Sequence, residues 1–509
     1  MTKFPFHGRV LLVGFGGVAQ CTLPLIERHL QVPLNRVTVM DFSTMAVEKI
    51  HPWQARGVTF SDERITPDNL STELGKYVGP GDLIIDLAWN IECADILRWC
   101  HRHQVLYINT SVELWDPYQG ADQKSPQERT LYARHMKLQD LYQEWGGNHG
   151  TTALLEHGAN PGLVSHFTKR ALRDITARLL ADRPLDSRRP LLERALDERH
   201  YAALSYLLGV RVIHISERDT QATSLPRSKD VFFNTWSVEG LFEEGTAPAE
   251  MGWGTHERVL PTGACTHSTG PRNQICLKDF GINTFVKTRV PSAELVGMII
   301  RHGEAFTLSH FLSLQSPDGV AAYRPTVHYS YLPCPEAVKC LEEVRANNCK
   351  RHPTWHIMGD DITGGYDELG VLLMGHDYKS WWCGTILSIE EARALVPGQN
   401  ATTLQVAASV LAAIGWMLRN PEAGVRVPEE LPDDEILDFA SPYLGRIPSL
   451  PLDWTPVDSQ LSGRPNAHLD DSVWQFSNFL ITEESRGLDG RPIDGPRLVR
   501  EHLNPLQLR

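Results

Sequence analysis

The sequence predicts an α/β protein, with an N-terminal Rossmann-type doubly wound parallel sheet followed by a second α+β domain built on a mixed sheet. Three observations carry this reading. An apolar β-type run, Val10 to Val13, meets a glycine turn and then residues at helical spacing, Leu23, Leu25, Ile26 and Leu30. Further strand-like runs follow in RVTVMD, DLIIDLAWN (82–90) and VLYINTSVE (105–113). From 211 to about 390 short β-type runs prevail: RVIHISERD, DVFFNTWSV, NTFVKTRV, TVHYSYLP, HIMGDDIT, ELGVLLMG and WWCGTILS. At 509 residues the chain is too long for one hydrophobic core.

The glycine turn, Gly14-Phe15-Gly16-Gly17-Val18-Ala19, fits G-x-G-x-x-A between a strand and a helix. Gly14 permits the tight turn, Gly16 lets backbone approach a pyrophosphate, and Ala19 lets helix and strand pack closely. The helix N-terminus then offers unpaired N–H groups to the phosphates. Asp41 ends the next strand, where an acid can accept hydrogen bonds from ribose hydroxyls and would repel a 2′-phosphate. This pattern points to NAD rather than NADP. Ligands of open parallel sheets bind beyond the carboxyl ends of the strands, so Ala88, Asn90, Asn109, Thr110, Ser111 and Glu113 are candidates to line the cofactor and its neighbourhood. TTALLEHGANPG then leads through Gly158 and Asn160 into a helix, with Pro161 near its first turn. Asn160 is there either a helix cap or a ligand contact.

The remaining segments set the expected boundaries. Residues 1–150 form the NAD-binding domain and 151–395 the substrate-binding domain. Residues 396–430 supply a helix returning to the first domain, and 431–509 a C-terminal extension with little regular pattern. A helix-period segment is expected at 291–314, and an antiparallel meander from HIMGDDIT through WWCGTILS. NATTLQVAASVLAAIGWML (400–418) reads as a buried helix rather than a membrane span.

Composition excludes several classes. Formal net charge is −13, which argues against a nucleic-acid partner. MTKFPFHGRVLLVG runs straight into a strand without the apolar region of a signal peptide, which favours a cytoplasmic protein. The nine cysteines show no C-x-x-C and no paired Cys/His spacing, so reduced thiols are expected and no metal site.

VFFNTWSVEGLFEEG (231–245) sets Trp236 eight residues before Glu244, with Glu239 and Glu243 between them and no basic residue in the segment. An aromatic face with nearby carboxylates suits an organic cation. Core packing of the tryptophan and solvation of the acids are the competing explanation. Hydride can leave the carbon beside an amine only when that nitrogen is neutral, although amines titrate near pH 10 like lysine. A diamine would therefore need one end deprotonated and the other held as ammonium. Glu217, ending HISERDT, could face the same pocket, and His302 could shuttle protons near neutrality. Asp360, Asp361 and Asp367 flank a Gly-Gly turn that explains them without function.

Several of these segments together resemble the bacterial homospermidine synthases: RVLLVGFGGVAQ, NTSVELW, EHGANPGLVSHF, HISERDTQ, GYDELGVLLMGH and, most specifically, NTWSVEGLFEEG with PAEMGWGTHE. The resemblance extends to roughly residue 480. It implies a saccharopine-dehydrogenase-like arrangement, a second domain that also forms a homodimer, and tightly bound NAD. The implied reaction oxidises putrescine to an imine, releases ammonia, condenses a second putrescine and returns the hydride, giving sym-homospermidine; spermidine may replace one donor. By position, Trp236 would stabilise cationic intermediates, and Glu244 and Glu217 would bind or deprotonate amines. Glu113 and Asn160 would line the pocket beside the nicotinamide, and His302 would assist proton transfer. Asp361 and Asp367 are further substrate-binding candidates. At Asn90 the chain departs from the acid expected of relatives, with Glu92 and Asp95 following. Two alternatives stay open: a carboxynorspermidine- or saccharopine-type reductase, whose carboxylated substrates need Arg or Lys, and a non-catalytic nucleotide-binding protein.

Overall fold

The apolar run Val10–Val13 (β1) is buried on both faces, which a central parallel strand requires. Helix α1 (Gly17–His29) follows it, then strands β2 (Val37–Met40), β3 (Thr59–Ser61), β4 (Leu83–Asp86), β5 (Leu106–Asn109) and β6 (Gly150–Leu154). In this computed structural model, which describes residues 3–459, 461, 473–482, 485 and 494–501, these strands form one parallel sheet. Its order is Ala423–Arg426, β6, β5, β4, β1, β2, β3. The sheet thus takes one strand that begins at residue 150 and an edge strand from beyond residue 420. The helix Ala401–Arg419 is long and apolar enough to cross a membrane. Here it is buried against α1 and the helix Asp433–Ala440.

The second sheet has eleven strands among the described residues. Its centre is β7 (Val212–Asp219), buried at every position. Strand β8 (Val231–Asn234) and helix α2 (Val238–Gly245) follow in the chain. Then come β9 (Thr326–Leu332), β10 (Thr354–Ile357), β11 (Tyr366–His376) and β12 (Lys379–Ser388). β9 pairs parallel with β7, opposing Tyr331 to Glu217. β11 pairs antiparallel on the other side, opposing Asp367 to Asp219.

Two expectations are corrected. Residues 291–314 are not one helix: Ala293–Met298 is a strand paired with Phe285–Val290, followed by a 3₁₀ turn at Gly303–Ala305 and a short helix, Thr307–Phe311. Leu295, Val296 and Met298 are buried, and a continuous apolar run does not distinguish a fully buried strand from a buried helix. The three-strand meander is also a different arrangement. Only β11 and β12 form an antiparallel pair, whereas β10 pairs parallel with β8, and Ile362–Gly364 pairs with Ala222–Thr223. Parts of the 431–509 extension lie outside the described residues. All nine cysteines are free thiols.

Candidate active site

The dinucleotide cradle forms at the carboxyl end of β1. Gly14 has φ +85°, and a Cβ there would lie 2.9 Å from the Ala88 backbone, so this close turn requires glycine. Its N–H donates to Met40 O across the strands. Phe15 is buried, and its N–H donates to Asp41 Oδ2 at 2.6 Å; Ser43 N–H donates to Asp41 Oδ1 at 2.7 Å. Gly16 is the N-cap of α1 and makes no side-chain cap. The space above it is open, since a Cβ would meet nothing within 4 Å. Gly17 and Val18 open the helix, and Gly17 faces Thr403 of the returning helix.

On the neighbouring rim, Thr110 packs against Gly158. Asn109 is turned inward instead: its Oδ1 accepts from Glu156 N–H at 2.8 Å, and its Nδ2 donates to the Tyr107 hydroxyl at 3.1 Å. Its side chain braces the rim. Asn90 adopts φ 65°, and its buried Oδ1 has no hydrogen-bond partner among the described residues.

Beyond this rim, Glu113, Glu244 and His302 line one cavity with Ser111, Glu156, Pro161, Gly303 and the Arg134–Glu243–Arg301 group. Gly303 lies so close to Glu156 that a Cβ there would meet its carboxylate. Asn160 is not the cap of the following helix; that position belongs to Gly162. Its amide and the Tyr329 hydroxyl both donate to Glu217 Oε2. Tyr329 lies with its ring centroid 4.7 Å from that of His302 and stacks on Tyr331 at 5.0 Å. Trp236 Nε1 donates to the Tyr331 hydroxyl at 3.0 Å. These contacts join Trp236, Glu217, Asn160 and His302, which come from four separate segments.

Two of the predicted acids lie elsewhere. Asp361 accepts from Gly359 N–H and faces His356 at 3.1 Å, away from the cavity. Asp367 is fully buried on the same face of the sheet as Glu217 and Asp219, accepting from Thr402 at 2.8 Å, and does not line the cavity. Burial and then the charges of Glu217 and Asp219 push its carboxyl well above the usual range.

Burial raises Glu244 to about 8, outweighing the opposing pull of His302 and Arg301. Burial likewise raises Glu217 to about 7, with Asp219 adding to the rise against the Tyr329 hydrogen bond. Burial alone would lower His302, but Glu304, whose Oε2 lies 2.6 Å from Nδ1, together with Glu244 and Glu156, raises it. Glu113 is also raised by burial, against the nearby Arg134. Carboxyls raised towards neutrality, beside an imidazole, can exchange protons with a bound substrate.

The segment 231–245 offers no basic residue, but the fold brings in Arg134 and Arg301. Arg134 Nη2 meets Glu243 Oε1 at 2.8 Å, and Arg301 Nη2 binds Glu243 Oε2. Burial opposes the Glu243 charge, yet the two guanidiniums hold that carboxyl below its usual value. Both cations are thus committed to one glutamate. Sequence reasoning missed this trio, together with Glu156, Glu304, Tyr329 and Tyr331. Only the i, i+2 tyrosines of TVHYSYLP carry a local signal, since alternate residues of a strand share a face.

The fold and cradle define a two-domain saccharopine-dehydrogenase-like protein. The saccharopine dehydrogenase NADP binding domain matches residues 10–154, and the saccharopine dehydrogenase C-terminal domain matches residues 158–449. The chain is 38% identical to a homospermidine synthase of Mesorhizobium japonicum over 480 residues, covering 93% of this chain and 96% of that one. It is 39% identical to a homospermidine synthase of Blastochloris viridis over 496 residues, covering 95% and 100%. The crystal structure of the Legionella pneumophila homospermidine synthase in complex with NAD superposes with a TM-score of 0.81 at 35% identity, covering 94% of this chain and 99% of that one. The chain belongs to the homospermidine synthase family.

Proposed function

We propose that this chain is an NAD-dependent homospermidine synthase that converts two putrescine molecules to sym-homospermidine and ammonia, with spermidine as an alternative amine. The observation that carries this reading is the chain of contacts from Trp236 through Tyr331 and Tyr329 to His302, at a cavity whose two arginines are both engaged by Glu243. A site for carboxylated substrates would leave such cations free, which disfavours the saccharopine- and carboxynorspermidine-type alternatives.

The cradle fits a dinucleotide. The N-terminus of α1 carries no side-chain cap, Gly16 is open above, and Asp41 stands at the end of β2. NAD, when bound, supplies the hydride acceptor and donor. Although the matching domain bears an NADP label, the Asp41 carboxylate would repel a 2′-phosphate. Replacing Asp41 with Asn is expected to weaken NAD binding about 10-fold and to narrow the NAD/NADP preference, consistent with loss of a charged hydrogen bond. Fluorescence titration with both cofactors checks this, and an unchanged preference would remove Asp41 from the ribose site.

In this reading, Glu244 and Glu217 take protons from substrate ammonium groups, and Glu113 and Asn160 position the amine beside the nicotinamide. His302, held by Glu304, passes protons during ammonia release and condensation. Trp236 stabilises the iminium without offering a proton acceptor. Both carboxyls must lose a proton to act as bases. The rate is therefore expected to rise with pH through about 7 and about 8, the values of Glu217 and Glu244. Glu217→Gln should remove the lower step from the pH–rate profile; a wild-type profile in that variant would contradict its assigned role.

The reading also makes the enzyme cytoplasmic and homodimeric. The deciding assay supplies purified protein with putrescine and catalytic NAD. Homospermidine and ammonia in equal amounts without NADH accumulation support the proposal. Turnover only with a carboxylated aldehyde would favour the reductases, and no turnover with any amine the non-catalytic reading.

A further inference from the structure

Two cysteines face each other at the edge of the second sheet. Strand Ala264–Thr266 forms that edge and pairs antiparallel with Gln274–Phe280. The register sets Cys265 directly opposite Cys276. Directly opposed residues share a face of the sheet, with Cα atoms about 4.5–5.5 Å apart. That spacing falls inside the range of about 4.4–6.8 Å found for disulfide-bonded cysteines. The two thiols lie within hydrogen-bond reach of each other. Their access differs: Cys276 is fully buried, whereas Cys265 is half-buried. Burial, then the charge of Glu250, then Cys265 itself raise the Cys276 thiol. An external reagent therefore meets Cys265 first, with Cys276 waiting behind it as a thiol. Cys93 and Cys100 give the contrast, because both are buried on one helix and neither sulfur faces solvent.

The hairpin between the two cysteines grips a helix of the first domain. The His267 ring stacks on Tyr132 with centroids 3.8 Å apart. The Tyr132 hydroxyl donates to Thr269 O at 2.5 Å and accepts from Arg272 N–H at 2.9 Å. On the next strand, Glu250 stands opposite Cys276, and its carboxylate accepts from Leu131 N–H at 2.8 and 3.1 Å. Leu131 and Arg134, on the same helix as Tyr132, line the inner cavity. A covalent bond between the cysteines would thus close the hairpin that holds this helix by its first turn.

We propose that Cys265 and Cys276 are a redox-active pair, which a low-molecular-weight disulfide converts reversibly to an intramolecular disulfide that fastens the edge strand to its neighbour. The Cys265 thiolate attacks one sulfur of the reagent, and the other half of the reagent leaves as a thiol. The Cys276 sulfur then attacks Cys265 Sγ and expels the second half. The two cysteines lose two electrons and two protons in all, and the reagent is reduced to two thiols. Reduction follows the same path backwards through the accessible Cys265 sulfur. The pair does not depend on which substrate the inner cavity takes.

The test equilibrates the full chain with graded ratios of oxidised to reduced glutathione, quenches by alkylation and digests the denatured protein with trypsin. Trypsin cuts after Arg272, between the two cysteines, so a disulfide leaves two peptides joined. Mass spectrometry without reduction should show that joined pair, with two of the nine thiols lost and both regained on adding reductant. Cys265→Ser should give no joined pair at any ratio. Cys349→Ser, which removes another half-buried thiol, should give as much of it as wild type. Glutathione that stays on Cys265 as a mixed disulfide would overturn the pair, because Cys276 would then have failed to reach it. Thiol loss confined to other cysteines, or no loss at any ratio, would overturn it equally.

Discussion

Replacing Glu244 with Gln is expected to lower the rate of homospermidine formation about 10²–10³-fold, the usual contribution of a positioned general base. NAD binding should survive, because Glu244 lies in the second domain, apart from the cradle at Gly14–Val18. The same change should stabilise the protein at alkaline pH. The native Glu244 carboxyl titrates at about 8, against an ordinary value of 4.5. Between those values the folded chain keeps a proton that the unfolded chain has lost, so stability falls as pH rises through that window. Gln has no proton to lose. With allowance for cavity water, the gain is about 1–3 kcal/mol at pH 9 and vanishes at pH 4. Thermal melts of both proteins at the two pH values, beside amine chromatography, read both effects. Wild-type turnover in a folded variant would refute the assignment of Glu244.

Trp236→Ala should reduce kcat/KM about 30-fold, the upper scale of a desolvated cation–π interaction. It also strips the Tyr331 hydroxyl of its indole donor and opens space beside Gly240, so part of any loss could be structural. Trp236→Phe separates the causes. It keeps an aromatic face but loses the indole N–H, and should recover all but about 3–10-fold of the activity. Equal losses in Ala and Phe variants, with unchanged melting temperatures, would show that the hydrogen bond to Tyr331 matters and the aromatic face does not.

The cradle was legible because its parts lie close in the sequence. Gly14, Gly16 and Ala19 fall within one strand–turn–helix, and Asp41 ends the next strand. Trp236 and Glu244 were legible because both belong to one segment, whose aromatic and acidic character sets it apart. The partners were less so. Tyr331 meets Glu217 only because β9 runs parallel to β7, a pairing across more than a hundred residues with no local signal. Arg134 and Arg301 converge on Glu243 from both domains, so reading 231–245 alone as free of cations missed two guanidiniums. Asp361 and Asp367 show the converse. The glycine turn beside them explains them without function and only the family resemblance made them candidates; one turns to His356, and the other is bonded to Thr402 within the sheet face that carries Glu217. The strand at 293–298 eluded periodicity because four consecutive buried residues, 295–298, erase alternation.

The edge strand Ala423–Arg426 has a consequence for how the chain reaches its native state. The first sheet has its opening strands within the first 154 residues, yet its β6 edge finds a partner only after more than 260 further residues have been synthesised. Until then β6 presents unpaired backbone groups, and α1 lacks the apolar helix that covers it. The nucleotide half is therefore not an autonomous folding unit that can be cut away at residue 150. It is completed only by chain that lies beyond the second domain in sequence. Because these parts belong to one sheet, a dinucleotide bound at the cradle stabilises the whole sheet by mass action, its late edge strand included.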